Sequence, residues 1–222
     1  MAVPDIERKR RMARRLLGAN RRGFAETLGL RVSNSPANLF QLLCLSILLR
    51  DLRDHRAAAQ AAGALRGAWD SAARMARSSQ DERVRVLRDN GAGRKAQALA
   101  ATFGDLARAV AQRYGGDLRR LRTQAGQDRT KERRLLTALP GVDDRAVDLF
   151  FREVQSPWRE VAPFADQRAL GAARKLGLAR SAEELADVIH GVRSEKIAWL
   201  VGALVRTDLE NTYDQIREPA RA

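Results

Sequence analysis

Apolar residues recur three and four positions apart along most of this chain, and that spacing commits its backbone to α-helix. The run Leu99, Phe103, Leu106, Val110, Tyr114 is the clearest instance, since positions so spaced line one face of a 3.6-residue turn. Gly115-Gly116 ends it, as glycine does where a helix must turn left-handed to stop. Ser35-Pro36 opens another helix by the cap-then-proline rule and leads through Phe40, Leu43 and Ile47 toward Arg50, with apolar positions all round, as in a helix buried within a bundle. Further helices are expected over 54–67, Trp69 to Arg77, Asp81 to Arg88, a short stretch capped by Asp117, and 128–138. Beyond these lie helices near 144–155, 164–176, 182–190, 194–206 and 208–217. Asn90-Gly91-Ala92-Gly93 and Leu139-Pro140-Gly141-Val142-Asp143 are breaks. No stretch alternates with period two beside turn signals, so the expected fold class is all-α.

At 222 residues the chain makes one large domain or two small lobes and hides enough surface to need no covalent staple. Its 45% hydrophobic and 31% charged residues exclude a disordered chain. The longest apolar run, Leu39 to Leu49, has eleven residues, against the roughly 20 that span a bilayer. No membrane partner is expected. The single cysteine, Cys44, can form neither an internal disulfide nor a thiolate metal site, and the basic N-terminus lacks the apolar stretch of a secretory signal. The expectation is an intracellular, cytoplasmic protein. His55 and His190 stand alone, without a second ligand at metal spacing, so no metal and no cofactor are expected.

Charge gives the first positive indication. The net charge is +14, and only five of the 41 bases are lysine. Such an excess suits a polyanionic partner, because each base placed on a phosphate releases counterions; an arginine- and alanine-rich composition also produces solvated helix faces that bind nothing. Residues 1–22 hold eight bases against two acids, with a thin apolar stripe at Ile6, Met12, Ala13, Leu16 and Leu17. A docked basic helix and a free basic arm both fit that segment.

The stretch from Arg133 to Leu178 carries the most information. One helix ends at Leu139, a Pro-Gly turn follows, and a second helix begins at once with Asp143 and Asp144. This is the shape of a helix–hairpin–helix, which aims the free N–H groups of the turn and of the next helix's first turn at a phosphate. Small turn residues let the backbone approach the strand. Some twenty residues on, Pro163-Phe164-Ala165-Asp166 precedes another amphipathic helix through Leu170, Ala173 and Leu176.

Together these residues resemble the helix–hairpin–helix DNA glycosylase superfamily, the endonuclease III group in particular, whose hairpin reads LPGVGRKTA and is followed by a VDTH-type segment. Phe40 to Asp54 is similar to that family's long central helix, Gly93-Arg94-Lys95-Ala96 to its short Lys-Ala turn, and Trp199-Leu200 to its late helix, so the likeness spans about residues 35–206. Phe151 to Gln155, with Trp158 and Pro163 to Asp166, resembles a bacterial branch of the superfamily. The resemblance implies two helical lobes with a DNA-binding cleft: a six-helix barrel over 32–157 with the hairpin at about 128–155, and a second lobe from 1–31 plus 158–222. It implies base-excision repair, in which a damaged or mismatched base is rotated out of double-stranded DNA and its glycosidic bond is broken. Double-stranded DNA is the implied partner, and a nucleoid-associated monomer the implied state. Asp166 would be the catalytic anion, stabilising positive charge on the sugar as the C1′–N bond lengthens; it is equally the residue type that caps the helix beginning at Gln167. Leu139, Gly141, Val142, Asp143 and Arg145 would hold backbone phosphate, with Arg50, Arg53, Arg94 and Lys95 as further contacts. Asp51 or Leu52 falls where the family fills the gap left by the flipped base, although core packing explains Leu52 as well.

Several departures bear on activity. Arg145 stands where lyase-competent members carry lysine, and a guanidinium does not form a Schiff base; a monofunctional, water-using hydrolase is therefore expected. Asp143 replaces the second hairpin glycine and would repel phosphate unless it turns back to cap its own helix. The four cluster-binding cysteines of many relatives are absent, implying a branch without the iron–sulfur cluster. A catalytically silent binder of damaged or distorted DNA, and a basic architectural DNA-binding protein, remain alternatives.

Overall fold

The computed structural model describes residues 3–19, 21–189 and 194–217. Among them all regular structure is helical: α1 (Val3–Ala19), α2 (Phe24–Thr27), α3 (Pro36–Asp51), α4 (His55–Ala68), α5 (Ala72–Arg77), α6 (Gln80–Leu87) and α7 (Ala96–Tyr114). After these come α8 (Leu118–Gln124), α9 (Arg129–Thr137), α10 (Asp144–Val154), α11 (Gln167–Lys175), α12 (Ala182–Val188), α13 (Ser194–Glu210) and α14 (Tyr213–Arg217). The fold is all-α. No described helix is long and apolar enough to cross a membrane. Two compact units divide the chain, one of Leu28–Phe150 and one of Met1–Thr27 with Phe151–Ala222.

In the central unit α3 is the axis. Ser35 caps it, its Oγ accepting from the Asn38 amide at 3.2 Å, and Pro36 supplies a first-turn residue with no N–H to satisfy. Every residue from Leu39 to Leu48 is buried, the two polar ones included. Gln41 Nε2 donates to the Trp69 carbonyl at 2.8 Å, and Ser46 Oγ to the Leu42 carbonyl at 2.9 Å, as buried polar groups require. Helix α7 buries Leu99, Phe103, Leu106, Val110 and Tyr114 against α5 and α6, each large side chain adding about 1.5–3 kcal/mol by leaving water. It stops at Gly115, in the left-handed region at φ 62°. The Asn90–Gly93 break is a kink, where Gly91 (φ 92°) approaches Ala57 so closely that a Cβ would meet its carbonyl at 3.1 Å.

In the unit built from both chain ends, α13 lies against α11, α1 and α2. Helix α1 is docked: Met12, Ala13 and Leu16 are buried, and Arg15 Nη1 donates to the Ile216 carbonyl at 3.0 Å. The helix expected over 208–217 is in fact two. Helix α13 continues to Glu210, Asn211 turns left-handed at φ 52°, a conformation its short side chain tolerates, and α14 starts at Tyr213. Helix α5 begins only at Ala72, because Ser71 rather than Trp69 supplies its cap. His190 lies outside the described residues.

Gly202 sets the approach of α13 to α2. A Cβ there would sit 2.7 Å from the Phe24 amide nitrogen and 3.1 Å from the Gly23 carbonyl carbon, both backbone atoms unable to move alone. Gly202→Val is expected to destabilise the protein by about 1–3 kcal/mol through overpacking. An unchanged urea unfolding midpoint would contradict this close crossing.

Candidate nucleic-acid interface

The hairpin follows from its turn chemistry. Leu139 to Val142 is a four-residue turn closed by the Val142 amide on the Leu139 carbonyl at 3.2 Å, with Pro140 at its second position and Gly141, at φ 73°, at its third. That is the type II arrangement, which calls for a residue free to take positive φ at the third place. Glycine is required there twice over, because a Cβ on Gly141 would collide with the Thr102 methyl. Leu139 and Val142 are buried and anchor the turn. Asp143 then caps α10: its Oδ1 accepts from the Ala146 amide at 2.8 Å, and its carbonyl accepts from Val147 at 3.0 Å.

Arg50, in the last turn of α3, fastens this turn. Nε and Nη2 grip the Asp51 carboxylate at 2.7 and 2.9 Å, while Nη1 donates to the Gly141 carbonyl at 2.7 Å and lies 3.2 Å from Asp143 Oδ1. The Asp51 carboxylate holds the Arg50 guanidinium above its ordinary value; partial burial opposes this, and Asp143 adds to it. Arg113 donates to the Ala138 carbonyl at 2.9 Å, and Arg133 bridges Asp144 and Asp148 at 3.0 and 2.5 Å. Lys95, beside the kink, donates to the Asp51 carbonyl.

Of the residues singled out in the sequence, Arg50, Asp51, Lys95, Gly141 and Asp143 are therefore directly linked. Leu52, half-buried, ends α3 beside them. Arg53, Arg94 and Arg145 are exposed, with no hydrogen bond or ion pair to another described residue's side chain. Asp51 is tied by both its carboxylate and its carbonyl, while Arg50 divides its donors between Asp51 and the hairpin.

Asp166 belongs to the other unit. It caps α11, Oδ1 accepting from the Ala169 amide at 2.9 Å, and Oδ2 accepts from Arg152 Nη1 at 2.6 Å. Arg152 and Asp166 are only 2% and 6% exposed. Nε of Arg152 donates to Glu153 Oε1 at 2.7 Å, its guanidinium carbon lies 4.9 Å from the Phe24 ring centre, and Glu153 Oε2 accepts from the Ala25 amide at 3.0 Å. Burial works to lower the Arg152 guanidinium, but the Asp166 and Glu153 carboxylates outweigh it and hold it above its ordinary value. Gln155 fixes the loop that delivers Asp166, its Oε1 accepting from the Phe164 amide and its Nε2 donating to the Phe164 carbonyl, both at 2.9 Å. Phe164 meets Phe151 edge-on at 5.7 Å.

Arg152, Glu153 and Gln155 had no assigned role in the sequence reading. Their signal was a charged pair set among the aromatic residues of α10 just ahead of Pro163 to Asp166, but a buried pair and an exposed one look alike in one dimension. No set of three or more histidine, cysteine or acidic side chains suited to a metal exists among the described residues. A four-iron cluster needs four thiolates, and this sequence holds only Cys44, buried in α3, whose thiol burial pushes up.

No family model matches the chain, and no curated protein does. Among solved structures, a non-covalent endonuclease III–DNA complex is similar at TM-score 0.56 and 15% identity, over 88% of this chain and 81% of that one. A trapped endonuclease III–DNA covalent intermediate, the estranged-adenine complex, is similar at TM-score 0.49 and 15% identity, over 79% and 75%. The chain has the helical fold seen in the first of these, with a helix–hairpin–helix turn.

Burial raises the Asp143 carboxyl, but the Ala146 amide and Arg50 outweigh it and leave the group below its ordinary value. Its contribution is full above about pH 4, the unfolded value, and is lost as pH falls through the lower folded value. Asp143→Ala should be destabilised at neutral pH, with a deficit that shrinks below about pH 4; a deficit constant across that range in urea titrations refutes the cap. Arg152→Met should cost about 3–5 kcal/mol by stranding two buried carboxylates, and adding Asp166→Asn should recover part of it. Full additivity of the two losses would show that the pair is not coupled.

Proposed function

We propose that this chain is a DNA-binding protein of the base-excision kind, a monofunctional glycosylase that hydrolyses the N-glycosidic bond of a flipped base. The observation that carries the reading is the hairpin: a tight Pro140-Gly141 turn with its Gly141 carbonyl tied to Arg50, followed directly by the first-turn amides of α10. The solved structure that shares this fold at TM-score 0.56 is of a protein bound to DNA. Leu139, Gly141, Val142 and Asp143 would present the turn, while Arg145, Arg53, Arg94 and Lys95 would contribute charge to the phosphate backbone. Asp51 and Leu52, at the end of α3, are the candidates for the space a flipped base vacates.

Asp166 would be the anion that stabilises the sugar cation. Both of its oxygens accept hydrogen bonds, from an amide and from a guanidinium, so its role is a fixed charge rather than a carrier of protons. As the C1′–N bond breaks, its electron pair goes to the base nitrogen. The oxygen of a water molecule bonds to C1′, one of its protons remains on the new hydroxyl and the other ends on the departing base. Arg145 offers no amine for a Schiff base, so the strand stays intact. The partner would be a duplex with a damaged or mismatched base, bound by a cytoplasmic, nucleoid-associated monomer lacking the iron–sulfur cluster.

One observation favours a second reading. Arg152 neutralises Asp166 at 2.6 Å in a buried setting, which suits a structural pair in a silent binder of damaged or distorted DNA. A panel of lesion-bearing oligonucleotides decides. Release of free base from one lesion, with scission appearing only after hot alkali, is the expected result. Asp166→Asn should abolish release while duplex affinity stays within about threefold, if the carboxylate acts on the reacting sugar rather than in binding. No release from any lesion, with distorted duplex preferred, establishes the silent binder. Equal affinity for every duplex with a steep salt slope establishes a basic architectural protein.

A further inference from the structure

A second concentration of cations lies in the unit built from the chain ends. Three hollows of about 400, 390 and 300 Å³ line α1. The first two share Lys9, Arg180 and Glu184, and the first and third share Arg8, so the three are neighbours along α1 and are together termed the trough. Helix α1 supplies Arg8, Lys9, Arg11 and Arg15 to it, and Arg174 and Arg180 come from the end of α11 and the turn before α12.

These bases are not equivalent. Arg8 and Lys9 bind Asp5 at 2.8 and 3.4 Å, and Arg15 donates to the Ile216 carbonyl. Arg11, Arg174 and Arg180 are exposed, and their guanidinium groups make no hydrogen bond or ion pair with any described residue. Two of the three acids in the trough are already committed: Asp5 to its two bases, Glu184 to the Arg180 amide at 2.8 Å. The open valence of the trough is therefore cationic.

We propose that this trough is a second grip on the DNA backbone, separate from the hairpin. It rests on the DNA-binding reading above but not on catalysis by Asp166. Guanidinium forks match phosphate oxygens two at a time, and three of them here have no acceptor among the described residues. Arg8 and Arg15 stand seven residues apart on α1, a rise of about 10 Å, comparable to the axial length of about three phosphates on one strand. An acidic protein would need buried aromatic or aliphatic anchors for comparable affinity, whereas the side chains that line the trough are mostly charged.

The test uses the full chain and an intact labelled duplex, with the dissociation constant measured over a series of NaCl concentrations. Replacing Arg11, Arg174 and Arg180 together by Ser should flatten the log–log salt slope by about 2–3 and weaken binding, since each lost phosphate contact removes roughly 0.9 from the slope. Thermal unfolding should be unchanged, because none of the three guanidinium groups has a partner among the described residues. A control that removes the same charge from Arg77, Arg85 and Arg120, all exposed in the other unit, should leave the slope within about one of the parent. An unchanged slope in the first variant, or an equal flattening in the control, overturns the proposal. So does binding to phosphatidylserine vesicles that the first variant loses while its DNA slope is unaltered. Base release is scored on the same proteins: its absence from the parent counts against excision and leaves the slope comparison standing, whereas an unchanged slope overturns the trough whatever the release.

Discussion

The hairpin depends on one guanidinium. Arg50 ties the last turn of α3 to the turn between α9 and α10 by holding the Asp51 carboxylate, the Gly141 carbonyl and the Asp143 carboxylate at once. The turn's own hydrogen bond uses only the Leu139 carbonyl and the Val142 amide, and Arg50 supplies a donor to the Gly141 carbonyl that follows. The same contact offsets what is otherwise the least favourable residue in the hairpin. Asp143 places a carboxylate where a phosphate would come close in the proposed DNA complex, yet its Oδ1 is directed to the Ala146 amide and faces Arg50. Much of its charge is thereby balanced within the protein before any ligand arrives.

A different balance holds around Asp166. Two carboxylates and one guanidinium share a space that is nearly dry, and burying that many charges is unfavourable unless each finds close partners. Each does, with an amide for Asp166, an amide for Glu153 and both carboxylates for Arg152, whose Nη2 alone makes no hydrogen bond among the described residues. The arrangement makes Asp166 an immobile anion. Immobility suits electrostatic stabilisation, which requires a charge that need not reorganise as a reaction proceeds. Neutralisation by Arg152 works in the opposite direction by weakening the field at any reacting centre. In the proposed reaction, excision would turn on the balance of those two effects.

Much of the helical architecture was legible in the sequence, because capping and periodicity are local. Ser35-Pro36, the spacing from Leu99 to Tyr114, and Pro140-Gly141 each state a backbone preference within a few residues. Boundaries shifted where one side chain decided the matter: Ser71 rather than Trp69 begins α5, and Asn211 stops α13. The helix-capping reading of Asp166 was also legible, since the residue type alone proposes it. The latch was not. Arg50 and Gly141 are 91 positions apart, and nothing local distinguishes an arginine that will bind its own chain from one that faces solvent. Arg152 escaped for the same reason, with the additional obstacle that its burial contradicts the ordinary preference of charged residues for water.

That distinction changes the meaning of the net charge. Some arginines serve as internal mortar rather than surface charge: Arg83 is buried and holds the Ala100 carbonyl at 2.9 Å and the Ser78 carbonyl at 2.5 Å, Arg113 holds Ala138, and Arg152 holds two carboxylates. Burial without a carboxylate in direct contact leaves the Arg83 guanidinium below its ordinary value, whereas two acids beside Arg152 raise it. Such bases are committed before any partner arrives and release no counterions when one does. The charge available to a polyanion is carried instead by bases such as Arg53, Arg94 and Arg145 in the central unit, and Arg11, Arg174 and Arg180 in the terminal one. Counterion release counts only phosphates that are newly contacted, so the salt dependence of the proposed DNA binding would follow this smaller set and not the formal +14 of the whole chain.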